Sequence, residues 1–256
     1  MNEEQGTLKW KRERLGKLTA SEIYVLMKDR KEPMTEEELA AFKAANPKSR
    51  VTTKVVPFSD ATFSYLDLKV MEQYLPLDST SPEDQNIVNE YIEQHDVSTR
   101  AMDHGSFYED TARELYSELT GVGVQEVGFI PYEKYQMLSG ASPDGLNDDG
   151  FGGLEIKSPF TLEKHMKHYL YQSQDELREE EPQYYWQCVM GMLCTGRQYW
   201  DFVSFCPYVV ESKMLKILRI HRIEEEINLL DERIGLADEY IKRKKLEMDI
   251  TQSIIK

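Results

Sequence analysis

The chain has 256 residues, 40% hydrophobic and 11% aromatic, enough for one well-buried core and too apolar for general disorder. Its apolar runs are too short to cross a bilayer, and the start Met1-Asn-Glu-Glu-Gln lacks the basic-then-apolar layout of a signal peptide, so a cytoplasmic protein without membrane contact is expected. A formal charge of −15 excludes a general nucleic-acid coat, because phosphate is held by Lys and Arg, but leaves room for a local basic groove beside metal-binding carboxylates.

Taken in chain order, the segment from Trp10 carries a basic cluster, and Thr19 with Glu22 fits a capping box that opens a helix through about Met27. A second box, Thr35 with Glu38, predicts another helix, the stretch 46–57 reads as a connecting loop, and helical patterns recur at 61–75 and 84–95. Residues 29–100 thus read as a helical elaboration without a catalytic constellation. Ser98–Thr120 has helical period and Gly121 offers its stop. Strands are predicted at 124–130, 136–142 and 153–157, the last two joined as a hairpin or bent pair by a dense run of turn formers at 143–152. A helix at 161–169, an acidic loop through Glu181 and a helix from Pro182 follow, then strands at 198–205 and 213–220 and a long helix at 223–247. This order predicts a mixed sheet flanked by helices, an α/β or α+β fold, in one domain spanning 1–256: elaboration 29–100, core 101–220, C-terminal helix 221–256.

Three cysteines, Cys188, Cys194 and Cys206, have no CxxC spacing and are too few for a four-thiolate metal site, so they are expected as small core hydrophobes. His165 and His168 stand at i, i+3 and could share a metal, but solvated side chains are the simpler expectation.

The chemistry concentrates in Ser142-Pro-Asp144 and, after ten intervening residues, Glu155-Ile-Lys157. In a strand Glu155 and Lys157 point to the same face while Ile156 points into the core, so carboxylate and amine share one site. Asp144, where the preceding strand breaks, can be brought beside Glu155. Two hard carboxylates suit Mg²⁺, with Mn²⁺ as a substitute, and metal-assisted phosphodiester hydrolysis. The alternative is a turn aspartate beside an exposed charge pair.

With Arg14-Leu-Gly-Lys-Leu-Thr-Ala-Ser, Gly105-Ser-Phe-Tyr-Glu, Ser142-Pro-Asp-Gly-Leu, Gly153-Leu-Glu-Ile-Lys-Ser-Pro-Phe and Tyr184-Tyr-Trp-Gln in this order, the chain resembles the PD-(D/E)xK nuclease superfamily, and within it the lambda-exonuclease or YqaJ-type viral recombinases. The resemblance implies metal binding by Asp144, Glu155, Glu109 and the backbone carbonyl of Ile156, water activation by Lys157, and support of phosphate or water by Gln187. For Glu109 a surface salt bridge with Arg113 is the equal alternative. Tyr184, one turn before Gln187, is expected to pack in the core. Arg14, Ser21 and Ser142 resemble the family's pocket for a 5′-terminal phosphate, to which a helix starting near Thr19 would add amide donors; the alternative for Arg14 is a surface pair with Glu13 or Glu22. Trp10 is expected as a core anchor rather than a base-stacking platform. The resemblance further implies a phage-type enzyme in a bacterial cytoplasm that degrades double-stranded DNA from 5′ ends, a ring-shaped homotrimer, and a single-strand annealing protein as partner. An endonuclease or junction resolvase on the same core is the nearest rival, and an inactive DNA-binding scaffold the more distant one.

Overall fold

The computed structural model describes residues 6–95 and 99–255. The Thr7 hydroxyl accepts the Trp10 amide and caps α1 (Leu8–Arg14), which precedes β1 (Leu18–Thr19) and a 3-10 turn at Ile23–Met27. The helix expected from Thr19 and Glu22 does not form. Leu18 and Ala20 instead donate their amides to the carbonyls of Leu138 and Gly140, so this backbone is committed to a parallel strand pair.

β2 (Asp29–Pro33) and β3 (Thr53–Pro57) make an antiparallel ribbon with Lys31 opposite Val55, so the expected loop at 46–57 is half strand and the elaboration is not purely helical. Between them lies α2 (Glu36–Ala45), opened by the Thr35–Glu38 capping box with both reciprocal bonds present. Then come α3 (Asp60–Glu72), α4 (Pro82–His95) and α5 (Arg100–Thr120), the last stopped by Gly121 at φ 70°, where a left-handed turn favours glycine. The start expected for α5 at Ser98 lies outside the described residues, as do Met1–Gln5.

The strand read at 124–130 is two: β4 (Val124–Gln125) and β5 (Ile130–Pro131). β6 (Ser139–Ala141), β7 (Gly145–Asn147) and β8 (Gly152–Lys157) follow. The pairing differs from the one expected: β8 takes β7, hidden among the turn formers, as its antiparallel neighbour, whereas β6 joins β1 and β5 in a separate sheet. α6 (Leu162–Leu170) leads to α7 (Gln174–Glu180), capped by Ser173 and anchored by fully buried Leu177 where an acidic loop was expected. α8 (Pro182–Thr195), β9 (Tyr199–Phe205), the single turn α9 (Glu211–Met214), β10 (Leu215–His221) and α10 (Glu224–Ile255) complete the chain.

The main sheet has the order β10-β9-β8-β7-β4; only β8 and β9 run parallel, joined by the α6–α8 crossover. Alternation along these strands divides the core. Leu154, Ile156, Val203 and Phe205 pack with Ala112 and Tyr116 of α5, while Trp200 and Phe202 pack with α8 and α10. Trp200 demands room on both sides: a Cβ at Gly153 or Gly191 would stand 2.4 or 2.6 Å from its ring, so glycine lets α8 lie close on β8. A mixed sheet between helical layers is the α/β architecture that the element order implies.

Candidate active site

Strand parity places Glu155 and Lys157 on the face of β8 opposite Ile156, which packs toward α5. The Lys157 ammonium is in direct contact with Glu155 Oε1, and it also stands 5.2 Å over the Tyr184 ring. Asp144 follows the Pro143 bend, and its Oδ2 accepts the Ile156 amide at 2.6 Å, fastening the bend to β8. Glu109 comes from α5, and Arg113, one turn on, grips it at 2.8 Å while donating through Nε to the Asp144 carbonyl at 2.9 Å. The salt bridge considered for Glu109 therefore exists, and it belongs to the site: Glu109, Asp144 and Lys157 line one 550 Å³ pocket. The clamp on Asp144 leaves no signal in the sequence beyond the i, i+4 spacing of Arg113 to Glu109.

Burial is the first force on these acids. It pushes Glu155 up to about 8, with the charge of Asp144 adding to the rise and Lys157 opposing it. Glu109 rises to about 7 for the same reasons, burial first and Asp144 next, and Asp144 is raised by burial against the pull of Lys157. For Lys157 burial pulls downward, but the carboxylates of Glu155 and Asp144 outweigh it and hold the ammonium charged.

Among the described residues no three His, Cys, Asp or Glu side chains form a closed metal cage. The donor set nonetheless fits a hard divalent ion: buried carboxylates whose mutual repulsion a cation relieves, arranged in the open manner by which Mg²⁺ uses one or two carboxylates and keeps water or phosphate as its other ligands.

A second cluster gathers Arg14, Ser21 and Ser142. Arg14 Nη1 donates to Ser142 Oγ at 3.2 Å and Nη2 to Ser21 Oγ at 2.9 Å. Trp10 is not a core anchor: half-buried, it stacks on the Arg14 guanidinium at 4.2 Å and donates Nε1 to the same Ser142 hydroxyl. Burial lowers the Arg14 pKa, against the raising charges of Glu22, Tyr65 and Glu155. The helix dipole expected at Thr19 is absent, since Thr19 lies in β1.

Gln187 is half-buried on α8, and among the described residues its side chain makes no hydrogen bond; it does not line the pocket, whereas Tyr184 does. Tyr184 also stacks on Phe202 at 5.6 Å, so the expected packing role is partly met. His165 and His168 are buried rather than solvated, both Nδ1 atoms standing 3.0 Å from Ser204 Oγ, because β9 passes beneath α6. Cys188 and Cys206 are buried and Cys194 half-buried, as expected of core thiols. The pocket walls at Met102 and Phe160 left no readable signal in sequence.

A family model described as YqaJ-like viral recombinase domain matches residues 9–198, more than half of the chain and all of both clusters. The chain belongs to this family. No curated protein matches it in sequence. Among solved structures, this YqaJ-like domain resembles an alkaline exonuclease from Laribacter hongkongensis with a TM-score of 0.67 and 23% identity, over 98% of this chain and 100% of that one. The same exonuclease in complex with dAMP gives a TM-score of 0.68 at 23% identity over the same shares. A phage related exonuclease from Haemophilus somnus 129PT gives 0.59 and 13%, over 91% of this chain and 96% of that one. At these identities the likeness carries the fold alone, a mixed α/β core between helical layers.

Proposed function

We propose that the protein is a divalent-metal-dependent exonuclease that degrades one strand of duplex DNA from its 5′ end and leaves 3′ single strands for recombination. The observation that supports it most is the tripeptide Ser142-Pro143-Asp144, which contributes its first residue to the Arg14 cluster and its last to the acid cluster. A phosphate-shaped grip and a hydrolytic centre therefore share one turn of chain.

In this reading Asp144 and Glu155 hold Mg²⁺ or Mn²⁺, with Glu109 and the Ile156 carbonyl as further oxygen donors. The bound ion supplies Lewis-acid stabilisation of phosphate charge and acidifies water. Lys157, kept as an ammonium by Glu155 and Asp144, donates hydrogen bonds that orient the attacking water or the scissile phosphate. Gln187 supports the same region from α8. Arg14 grips a terminal phosphate by charge-assisted hydrogen bonds that Ser21 and Ser142 complete. Hydrolysis that leaves a 5′-phosphate on the shortened strand regenerates this handle at each cycle. A homotrimeric ring and a single-strand annealing partner belong to the same proposal through the family, as does action inside a bacterial cell.

The test compares initial rates on linear duplexes bearing 5′-phosphate or 5′-hydroxyl ends, with Mg²⁺ and with excess chelator. Metal-dependent shortening from phosphorylated 5′ ends, with the phosphate preference largely erased in Arg14→Ala, is expected. Full activity in chelator or digestion from 3′ ends overturns the reading, and cleavage of covalently closed circles transfers it to an endonuclease.

A further inference from the structure

The catalytic pocket is lined by two unlike kinds of residue. Its lining is ionic at Glu109, Asp144, Lys157 and Lys164 and apolar at Met102, Gly105 and Phe160. Phe160 is 56% exposed three residues after Lys157. It is also braced. His104 meets it edge to face at 5.6 Å and 87°, and is itself held by Tyr108 at 4.8 Å and Tyr208 at 5.9 Å. Gly105 provides an independent sign. It lies in the interior of α5, where glycine costs about 1 kcal/mol relative to alanine. No packing requires it: its φ is ordinary for a helix, and a Cβ there would meet nothing within 4 Å. A helix that keeps a bare position facing open space, in a pocket that also exposes a braced ring, has a slot for a flat group.

We infer that Phe160, with Met102 and the bare backbone at Gly105, forms a stacking subsite for the nucleobase of the nucleotide whose phosphate lies over Glu109, Asp144 and Lys157. This inference rests on the exonuclease reading and adds to it the residues that hold the base. The occupant follows from the lining of the pocket, because an aromatic ring in the same pocket as an anion-processing centre matches the two halves of a nucleotide. Stacking accepts every base, since each offers a π-face, so an enzyme that must cut any sequence gains grip without selectivity. The pocket volume of 550 Å³ lies within the usual range for small-molecule sites.

The test is calorimetric binding of 2′-deoxyadenosine 5′-monophosphate and of 2-deoxyribose 5-phosphate, which has the same sugar and phosphate but no base, to the full chain in Mg²⁺. The wild type should bind the nucleotide about 5- to 100-fold more tightly, the range of one base on one ring, with the other three deoxynucleoside monophosphates within a few-fold. Phe160→Ala should bring the two affinities within about 2-fold, whereas Phe160→Tyr should keep them apart. Gly105→Leu, which fills space that is open in the folded chain, should also abolish the advantage, with circular dichroism confirming the fold. Equal affinities in the wild type, or an undiminished gap in Phe160→Ala, overturn the subsite while leaving an active exonuclease intact. A wild type that binds neither compound and cuts no DNA overturns the exonuclease reading and the subsite with it.

Discussion

Arg113→Met removes the guanidinium that joins two of the site acids. Its side chain is 11% exposed and makes two inward bonds, to the Asp144 carbonyl at 2.9 Å and to Glu109 at 2.8 Å. Two outward bonds reach Asp110 and Glu126, whose side chains are 83% and 68% exposed. Charged hydrogen bonds in a buried setting contribute about 1.5–3 kcal/mol each, and solvated ion pairs about 0–1 kcal/mol. The inward pair therefore dominates, and the substitution should lower unfolding stability by about 3–5 kcal/mol, a large part of the usual margin of a domain. Glu109, deprived of its cationic partner beside Asp144, should move further above about 7. Urea unfolding followed by far-UV circular dichroism measures the first effect, and Mn²⁺ titration by calorimetry tests whether the loosened acids bind metal differently. As a control, Asp110→Asn with Glu126→Gln should cost no more than about 2 kcal/mol together. A loss below about 1 kcal/mol in Arg113→Met, or Arg113→Lys matching the wild type in both assays, would refute the clamp, since lysine keeps the charge but not the planar fork.

Asp144→Ala, Glu155→Ala and Lys157→Ala should each abolish most metal-dependent turnover, and double variants should be little worse than singles because the three act as a unit; additive losses in kcat would contradict this. Glu181 lies 2% exposed on its side chain, and burial pushes its pKa up, but the His168 imidazole at 3.4 Å and the Lys164 ammonium, which donates to it at 2.8 Å, outweigh this and hold it down at about 2, below its ordinary 4.5. A depressed carboxylate stabilises the fold above 4.5 and ceases to do so as pH falls toward about 2, a contribution of up to about 3 kcal/mol. Acid titration of unfolding stability should show this loss reduced in Lys164→Met, and identical profiles would remove the ion pair from the account. Asp201 is fully buried between the forked Arg219 guanidinium and the Tyr116 hydroxyl, so Asp201→Leu should destabilise by about 3–5 kcal/mol. A thermal scan within 1–2 °C of the wild type would contradict that, since about 1 kcal/mol corresponds to roughly 2–4 °C at this size.

Much of the site could be read before the fold because its geometry is local. Two residues apart on one strand, Glu155 and Lys157 must share a face, and turn formers after Pro143 must bring Asp144 close. Arg14 and Ser142, 128 positions apart, were joined by resemblance alone, and the structure brings them into contact through the β1–β6 pair. What remained hidden depends on partners distant in the chain. β7 offers one apolar residue, Leu146, among Gly145 and Asn147, and becomes a strand only because β8 supplies its ladder. His165 and His168 look polar until Ser204 on β9 arrives between them. Thr19 and Glu22 have capping-box spacing, and their side chains do meet at 3.4 Å, but sheet pairing had already taken the backbone.

The bend at Ser142-Pro143-Asp144 passes from the three-stranded sheet to the five-stranded one within a single proline-stiffened step. Two residues of chain reach at most about 7 Å. On the proposed reading this short strip is a ruler, its zero mark at the held terminus and its blade at Asp144, with no slack between them. On that reading the step from held terminus to cut is set by backbone geometry rather than by a loop that could lengthen or shorten it.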